Sequence, residues 1–238
     1  MNTGNVGEIW RYPVKSMLGE RLEHTSLGIL GVPGDRGWAV RDEVRGGIRG
    51  AKKIAGLMRC AARYRDEPTA DRIPVPEITL PDGTVLHADA PEAATRLSAA
   101  LGTTVTLWPR RPADDLDHHR RGAPDHADME AEMRAVFGRE ASEPLPDFSV
   151  FPPELFEFES PLGTYFDAFP LLVMTTSSLR HLQALTPSSR IDVRRFRPNL
   201  VLETGADDGF LESTWGGRRL QIGEAVLALT IPCPRCVM

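Results

Sequence analysis

The sequence predicts a mostly β protein of the α+β class, with a few short helices and two domains. Short apolar runs, such as residues 6–10 and 199–202, recur along the chain between turn-forming residues. Helical spacing of apolar side chains is confined to a few short segments. Residues 113–128 are rich in Asp, His and Arg, which predicts a solvated linker between domains at residues 1–112 and 129–238.

The N-terminal domain is predicted as strands joined by tight turns. Its expected strands are residues 6–10, 18–27, 38–40, 57–64, 78–80, 84–86 and 105–108. Pro-Asp-Gly at residues 81–83 is typical of a three-residue hairpin loop. A helix is expected after this hairpin, with Asp89 as its N-cap, Pro91 in its first turn and Gly102 at its end.

The C-terminal domain is predicted to begin with a helix at residues 129–137 and an irregular, proline-rich region at residues 140–163. A strand at residues 169–174 leads into a second helix that is capped by Ser177 or Ser178. The remaining expected strands are residues 199–202, 218–222 and 225–231. The sequence therefore places most of its order in short strands.

Composition excludes several classes of protein. A net charge of −5 argues against a nucleic-acid-binding protein. No apolar run approaches the roughly 20 residues of a membrane span, and no secretory signal precedes the first strand, so we expect no membrane association. Three cysteines are too few for a disulfide framework, which favours a reducing compartment and a cytoplasmic location.

The scarcity of lysine is informative. Only Lys15, Lys52 and Lys53 are lysines among 28 basic residues, and all the others are arginines. Since an ammonium and a guanidinium are not interchangeable at a specific site, a lysine in this chain indicates a functional position slightly more than usual. An ordinary surface charge is the competing interpretation of Lys15.

The C-terminal motif Cys233-Pro-Arg-Cys236 allows three interpretations. A redox pair would need a helix directly after it. A zinc site would need two more ligands, and Cys60 lies in an apolar pattern that favours a small core residue. A single thiolate could instead complete the coordination of a soft metal that is held by an organic cofactor.

A cofactor of that kind usually carries phosphate, and three segments have suitable donors. Residues 12–16 place Lys15 beside Ser16 in a turn after a strand, and residues 34–38 place Arg36 between glycines. Residues 194–199 place Arg197 and Asn199 on one side of an extended stretch. Guanidinium, ammonium and amide groups bind phosphate and carbonyl-rich rings.

Taken together and in order, these segments resemble the MOSC-domain family with an N-terminal β-barrel domain, of the amidoxime-reducing-component type. The resemblance covers nearly the whole chain. It is carried by residues 6–16, 34–38, 166–170, 195–199, Trp215, 222–224 and 232–236. It implies a barrel-like N-terminal domain followed by a MOSC β-barrel with short helices, truncated at its C-terminus because the family continues past Cys236.

The resemblance also implies a molybdenum cofactor, a pterin dithiolene with a terminal phosphate. Cys236 falls on the family's metal ligand and catalytic centre, which leaves Cys233 as a neighbour. The positions that match its cofactor-contacting residues are Lys15, Ser16, Arg36, Asp167, Arg197 and Asn199. After Asp167, the small hydroxyl residues that are frequent in the family are replaced by Ala168 and Phe169, so backbone N–H groups would serve there.

The function that the resemblance implies is an oxidoreductase that reduces N-hydroxylated small molecules. We expect its electrons to come from a separate carrier protein, because the sequence has no flavin, haem or iron–sulfur fingerprint. Three alternatives remain open: a non-catalytic carrier of the cofactor, a sulfur-transfer module that forms a persulfide, and a partner-binding scaffold with an inactive site.

Overall fold

The computed structural model describes residues 4–205 and 209–236 of the chain. These residues form eleven β-strands and five α-helices. The strands are β1 (Asn5–Arg11), β2 (Glu20–Leu22), β3 (Trp38–Asp42), β4 (Ala61–Arg63), β5 (Glu77–Thr79), β6 (Val85–His87), β7 (Val105–Pro109), β8 (Val173–Thr175), β9 (Leu200–Glu203), β10 (Arg219–Ile222) and β11 (Ala225–Ala228). The helices are α1 (Ala93–Leu101), α2 (Leu116–His119), α3 (Met129–Phe137), α4 (Glu154–Glu157) and α5 (Thr176–Leu185).

The chain divides into two compact units, each of which is assembled from separate segments. The first unit contains the described residues of Met1–Arg11, Arg21–Val32 and Pro170–Pro234. The second unit contains the described residues of Tyr12–Glu20, Pro33–Phe169 and Arg235–Met238. The predicted domain boundaries at residues 112 and 128 stay a prediction.

The first unit is built on a four-stranded sheet in the order β2-β1-β9-β8. β1 runs antiparallel to β9 with Asn5 opposite Glu203, and β8 runs parallel to β9. Helix α5 follows β8 directly, and the Thr175 hydroxyl caps it by accepting a hydrogen bond from Ser178 N. β10 and β11 form a separate antiparallel pair.

The second unit contains the antiparallel pair β3-β7 and the three-stranded sheet β4-β5-β6. These strands, α1 and the loop after β1 enclose one main apolar core, in which Leu57, Ile78 and Leu97 are fully buried. Burying a side chain of this size stabilises the fold by about 1.5–3 kcal/mol. Cys60 is also fully buried in this core, in agreement with its apolar sequence pattern.

The predicted mostly β class with short helices is confirmed. The described strands form four open sheets, and no closed barrel is present among them. Among the described helices, none combines the length and the apolar character that crossing a membrane requires.

Three local predictions were wrong. Residues 57–64 were expected as one strand, but a 3-10 helix at Ala55–Arg59 precedes β4, because Cys60 N donates to Leu57 O. Helix α1 begins after Glu92 rather than Asp89, because a turn that joins Ala93 N to Ala90 O lies between them. The predicted caps Ser177 and Ser178 lie inside α5, whose cap is the preceding threonine.

The segment 113–128 was predicted to be solvated, but part of it is packed. It contains α2, whose side chains His118 and His119 are buried. Tyr165 Oη donates to Pro109 O at 2.9 Å and lies 2.7 Å from His118 Nε2. Since the single hydroxyl proton is used on the carbonyl, His118 Nε2 is the donor in the second bond.

Candidate functional site

Lys15 is a fully buried ammonium in the second unit. It lies in the loop after β1, where Lys15 N donates to Trp38 O at 2.8 Å and the side chain is 1% exposed. Its Nζ donates to Tyr165 O at 2.9 Å, to Asp167 Oδ1 at 2.8 Å and to Ser160 Oγ at 3.4 Å. The competing interpretation of an ordinary surface charge is therefore wrong.

Burial dominates the electrostatics of this lysine. It lowers the pKa of Lys15 from its ordinary value, and the negative charges of Asp167 and Glu159 oppose the shift only in part. The side chain of Asp167 is 61% exposed, so the buried cation is paired with a carboxylate that solvent reaches. An anion arriving from solvent could take up the role of that carboxylate.

Ser16 occupies a backbone conformation that side chains rarely adopt, with φ at 70°. Its Oγ accepts a hydrogen bond from Ala51 N at 2.9 Å and is buried. Gly50 packs against it closely, and a Cβ at that glycine would stand 2.8 Å from Ser16 Oγ. The segment Gly50-Ala51 therefore fixes Ser16 next to Lys15.

Arg36 also has a left-handed backbone, with φ at 46°. Arg36 N donates to Tyr12 O at 2.7 Å, and its guanidinium lies 5.0 Å from the centre of the Tyr12 ring. Asp35 pairs with this guanidinium and also accepts a hydrogen bond from Tyr12 N at 2.7 Å. Burial alone would lower the pKa of Arg36, but the charge of Asp35, its hydrogen bond and the charge of Asp167 together outweigh burial and raise the pKa.

Backbone strain coincides with the predicted site. Within residues 4–205 and 209–236, the non-glycine residues with positive φ are Ser16, Arg36 and Arg197. Each such residue costs about 1–2 kcal/mol, and such strain tends to accumulate at functional sites. All three were predicted as cofactor contacts from the sequence, where nothing indicated their backbone conformation.

The second segment with predicted contacts, Arg197 and Asn199, belongs to the first unit. Both side chains are buried, and Arg197 has φ at 52°. The Asn199 amide donates to Trp10 O at 3.3 Å and accepts from Leu172 N at 3.1 Å. These bonds fix Asn199 between β1 and the approach to β8, and its predicted contact with a cofactor stays a prediction.

The cysteines differ in exposure. Cys233 is exposed, Cys236 is partly exposed, and burial raises the pKa of the Cys60 thiol above its ordinary value. In the part of the chain that the structure describes, no group of three or more His, Cys, Asp or Glu side chains could hold a metal ion. The role of Cys236 as a metal ligand stays a prediction.

The sequence interpretation missed a second buried ion cluster beside Lys15. Lys52 Nζ lies 3.0 Å from Glu159 Oε1, and Arg121 lies 2.5 Å from the other carboxylate oxygen of Glu159. Glu159 precedes Ser160, which contacts Lys15. The scarcity of lysine in the sequence was the signal that could have indicated Lys52.

The second unit thus gathers four of the predicted residues: Lys15 is bonded to Asp167, Ser16 adjoins Lys15, and the charge of Asp167 acts on Arg36. Buried cations with a single exposed carboxylate among them form a site that can bind an anion such as phosphate. A rigid, strained backbone would hold such an anion without rearrangement.

Two protein-family models together match most of the chain. The family model described as the MOSC N-terminal beta barrel domain matches residues 3–108, and the model described as the MOSC domain matches residues 162–238.

Two curated relatives align with nearly the whole of this chain. The human and bovine proteins named mitochondrial amidoxime reducing component 2 are 27% and 26% identical to it over 245 aligned positions. Each alignment covers 99% of this chain, and the chain spans 66% of the length of each relative. The protein of the same name from Macaca fascicularis is 39% identical over 74 residues, which are 31% of this chain and 21% of that protein.

Proposed function

Because the chain belongs to the MOSC-domain family and carries the MOSC N-terminal β-barrel domain, we propose that it binds the molybdenum cofactor and reduces N-hydroxylated small molecules. The observation that carries this proposal is the buried Lys15 ammonium, flanked by Ser16 and bonded to the exposed Asp167. The names of the relatives support the substrate class, because an amidoxime is an N-hydroxylated compound.

The donor set of the second unit fits the phosphate end of such a cofactor. Lys15 and Arg36 supply positive charge, and the rigid turn at Ser16 holds the ammonium in place. Charge-assisted hydrogen bonds of this kind are the stronger ones in proteins. When bound, the cofactor would supply two-electron oxygen-atom transfer, and the protein would supply binding and orientation.

The remaining contacts are part of the same proposal. Cys236 would provide one thiolate, which suits a soft metal that already has dithiolene sulfurs. Arg197 and Asn199 would contact the organic part of the cofactor with guanidinium and amide donors. Electrons would come from a separate donor protein, and we propose a reducing, cytoplasmic setting that keeps the thiols free.

Metal content gives the first test. Protein purified from a host that makes the cofactor should contain about one molybdenum per chain by elemental analysis. Cys236→Ser should lose most of the metal, while the matched control Cys233→Ser should retain it. A wild-type protein without molybdenum would refute the proposal, and equal loss in the two variants would refute the assignment of Cys236.

Turnover gives the second test. A metal-loaded protein should convert an amidoxime to the amidine when an artificial electron donor replaces the natural partner. Lys15→Met should reduce both metal loading and turnover, because it removes the buried cation that would bind the phosphate. A loaded protein without turnover would indicate the carrier alternative instead of the enzyme.

A sulfur-transfer module is the second candidate, because the Cys233 thiol is exposed. A persulfide forms on an accessible sulfur that acts as a nucleophile. Mass spectrometry of the protein after incubation with a persulfide donor would show a gain of one sulfur atom at Cys233 or Cys236. Without that adduct, the sulfur-transfer function is excluded.

A further inference from the structure

Lys52 lies against the same site as Lys15 but was not assigned by the sequence. Ala51, the residue before it, donates its N–H to Ser16 Oγ at 2.9 Å. Glu159, its ion-pair partner at 3.0 Å, directly precedes the serine that contacts Lys15 Nζ. Two independent chain segments therefore bring Lys52 to the neighbourhood of Lys15.

The charges in this neighbourhood do not balance. Arg121 already pairs with Glu159 at 2.5 Å, and Lys52 pairs with the same carboxylate. Lys15 depends on Asp167, whose side chain is 61% exposed. Lys15 and Lys52 are largely buried and Arg121 is 37% exposed, and of the two carboxylates that these cations face only Glu159 is buried. An excess of buried positive charge is costly unless an anion compensates it.

The electrostatic effects on each lysine agree with this geometry. Burial alone would lower the pKa of Lys52, but the charges of Glu159 and Asp167 outweigh burial and raise the pKa above its ordinary value. The charge of Lys52 in turn contributes to the lowered pKa of Lys15. Lys52 therefore stays protonated and acts on both Lys15 and Asp167.

We propose that Lys52 is a further anion-binding residue of this site, held in position by Glu159, and that it binds the phosphate group together with Lys15.

The competing interpretation is that Lys52 only neutralises Glu159. Glu159 is contacted by Lys52 at Oε1 and by Arg121 at Oε2, and its single negative charge does not neutralise both cations. The side chain of Lys52 is 20% exposed, which leaves the ammonium open to a ligand from solvent. This inference rests on the proposed function for the identity of the ligand, but not for the chemistry of the site.

The test uses inorganic phosphate and the full chain purified from a host that cannot make the cofactor. Isothermal titration should show phosphate binding to the wild type and about tenfold weaker binding to Lys52→Gln, the loss expected for one charge-assisted bond in a partly exposed site. Lys53→Gln is the matched control. Lys53 is the next residue, is similarly buried, and pairs with Asp125 at 2.8 Å in a different ion cluster.

A second variant separates binding from folding. Lys52→Gln leaves Glu159 with Arg121 as its remaining ion pair. Combining Lys52→Gln with Glu159→Gln removes both charges of the Lys52–Glu159 pair, and an amide oxygen remains to accept from Arg121. This double variant should melt within a few degrees of the wild type and still bind phosphate about tenfold more weakly.

Three outcomes overturn the proposal: no phosphate binding by the wild type, unchanged affinity in Lys52→Gln, or an equal loss in Lys53→Gln. Molybdenum analysis keeps the two ideas distinguishable. Phosphate binding that depends on Lys52 in a chain that never loads molybdenum would retain this anion site and refute the proposed function. Normal metal loading with unchanged phosphate affinity in Lys52→Gln would do the reverse.

Discussion

The left-handed backbone at Ser16 predicts an unusual order of stability for two substitutions. Ser16→Ala and Ser16→Gly both remove the hydroxyl that accepts from Ala51 N. Leaving that buried N–H without its acceptor costs about 1–3 kcal/mol in either variant. The two variants differ at φ 70°, where alanine retains the strain of about 1–2 kcal/mol and glycine releases it.

The expected difference in stability between Ser16→Gly and Ser16→Ala is smaller than the strain itself, because a second effect opposes it. Glycine also gains conformational entropy in the unfolded chain, which lowers stability by about 0.4–1 kcal/mol. Subtracting the midpoints leaves Ser16→Gly more stable than Ser16→Ala by about 0.8 kcal/mol. Urea unfolding followed by tryptophan fluorescence would measure both free energies of unfolding.

Ser98 provides a matched control within the same unit. Its Oγ also accepts a backbone hydrogen bond, from Val105 N at 3.0 Å, but it lies inside helix α1. In a helix, alanine is more favourable than glycine by about 1 kcal/mol, so the order should be reversed at Ser98. If Ser16→Ala were as stable as Ser16→Gly, or if both positions gave the same order, the argument from strain would be refuted.

Three further predictions concern stability. Thr175→Ala should lower the free energy of unfolding by about 1 kcal/mol, because it removes the cap of α5; an unchanged urea midpoint would contradict this. Burial lowers the pKa of His118, so the unfolded state binds more protons than the folded state at pH values near and below the ordinary pKa. The free energy of unfolding should therefore decrease as the pH is lowered from about 7 to about 5, and it should decrease less in His118→Gln. Gly31→Ala should cost more than Gly83→Ala, since both have positive φ but only the Gly31 Cβ would approach Pro170 O, at 2.7 Å; equal thermal midpoints would argue against that clash.

Local signals predicted the elements whose formation depends on nearby residues. Pro-Asp-Gly at residues 81–83 joins β5 to β6 as expected, and Asp82 Oδ1 accepts from Thr84 N within the turn. The predicted helix at residues 129–137 has the same bounds in the structure. Both are determined within a few residues, where turn chemistry and helical periodicity act.

Long-range contacts account for what the sequence could not predict. The burial of His118 depends on Tyr165, which is 47 residues away, and the Lys15–Asp167 pair joins residues 152 positions apart. The residue types at the site could be predicted from the ordered motifs. Their burial and their ion-pair partners could not be predicted, because the sequence does not show whether a charged residue lies in the core or on the surface.

The pairing of β1 with β9 has a consequence for how the protein is made. Asn5 and its partner Glu203 are 198 positions apart in the sequence, so Asn5 is synthesised well before Glu203. Closing a loop of this length costs about 5 kcal/mol of chain entropy, so the pair can form only once much of the chain is available. During synthesis β1 is an open strand edge, and such edges promote aggregation. We therefore expect production of this protein in a foreign host to depend on slow translation or chaperones more than its final stability would suggest.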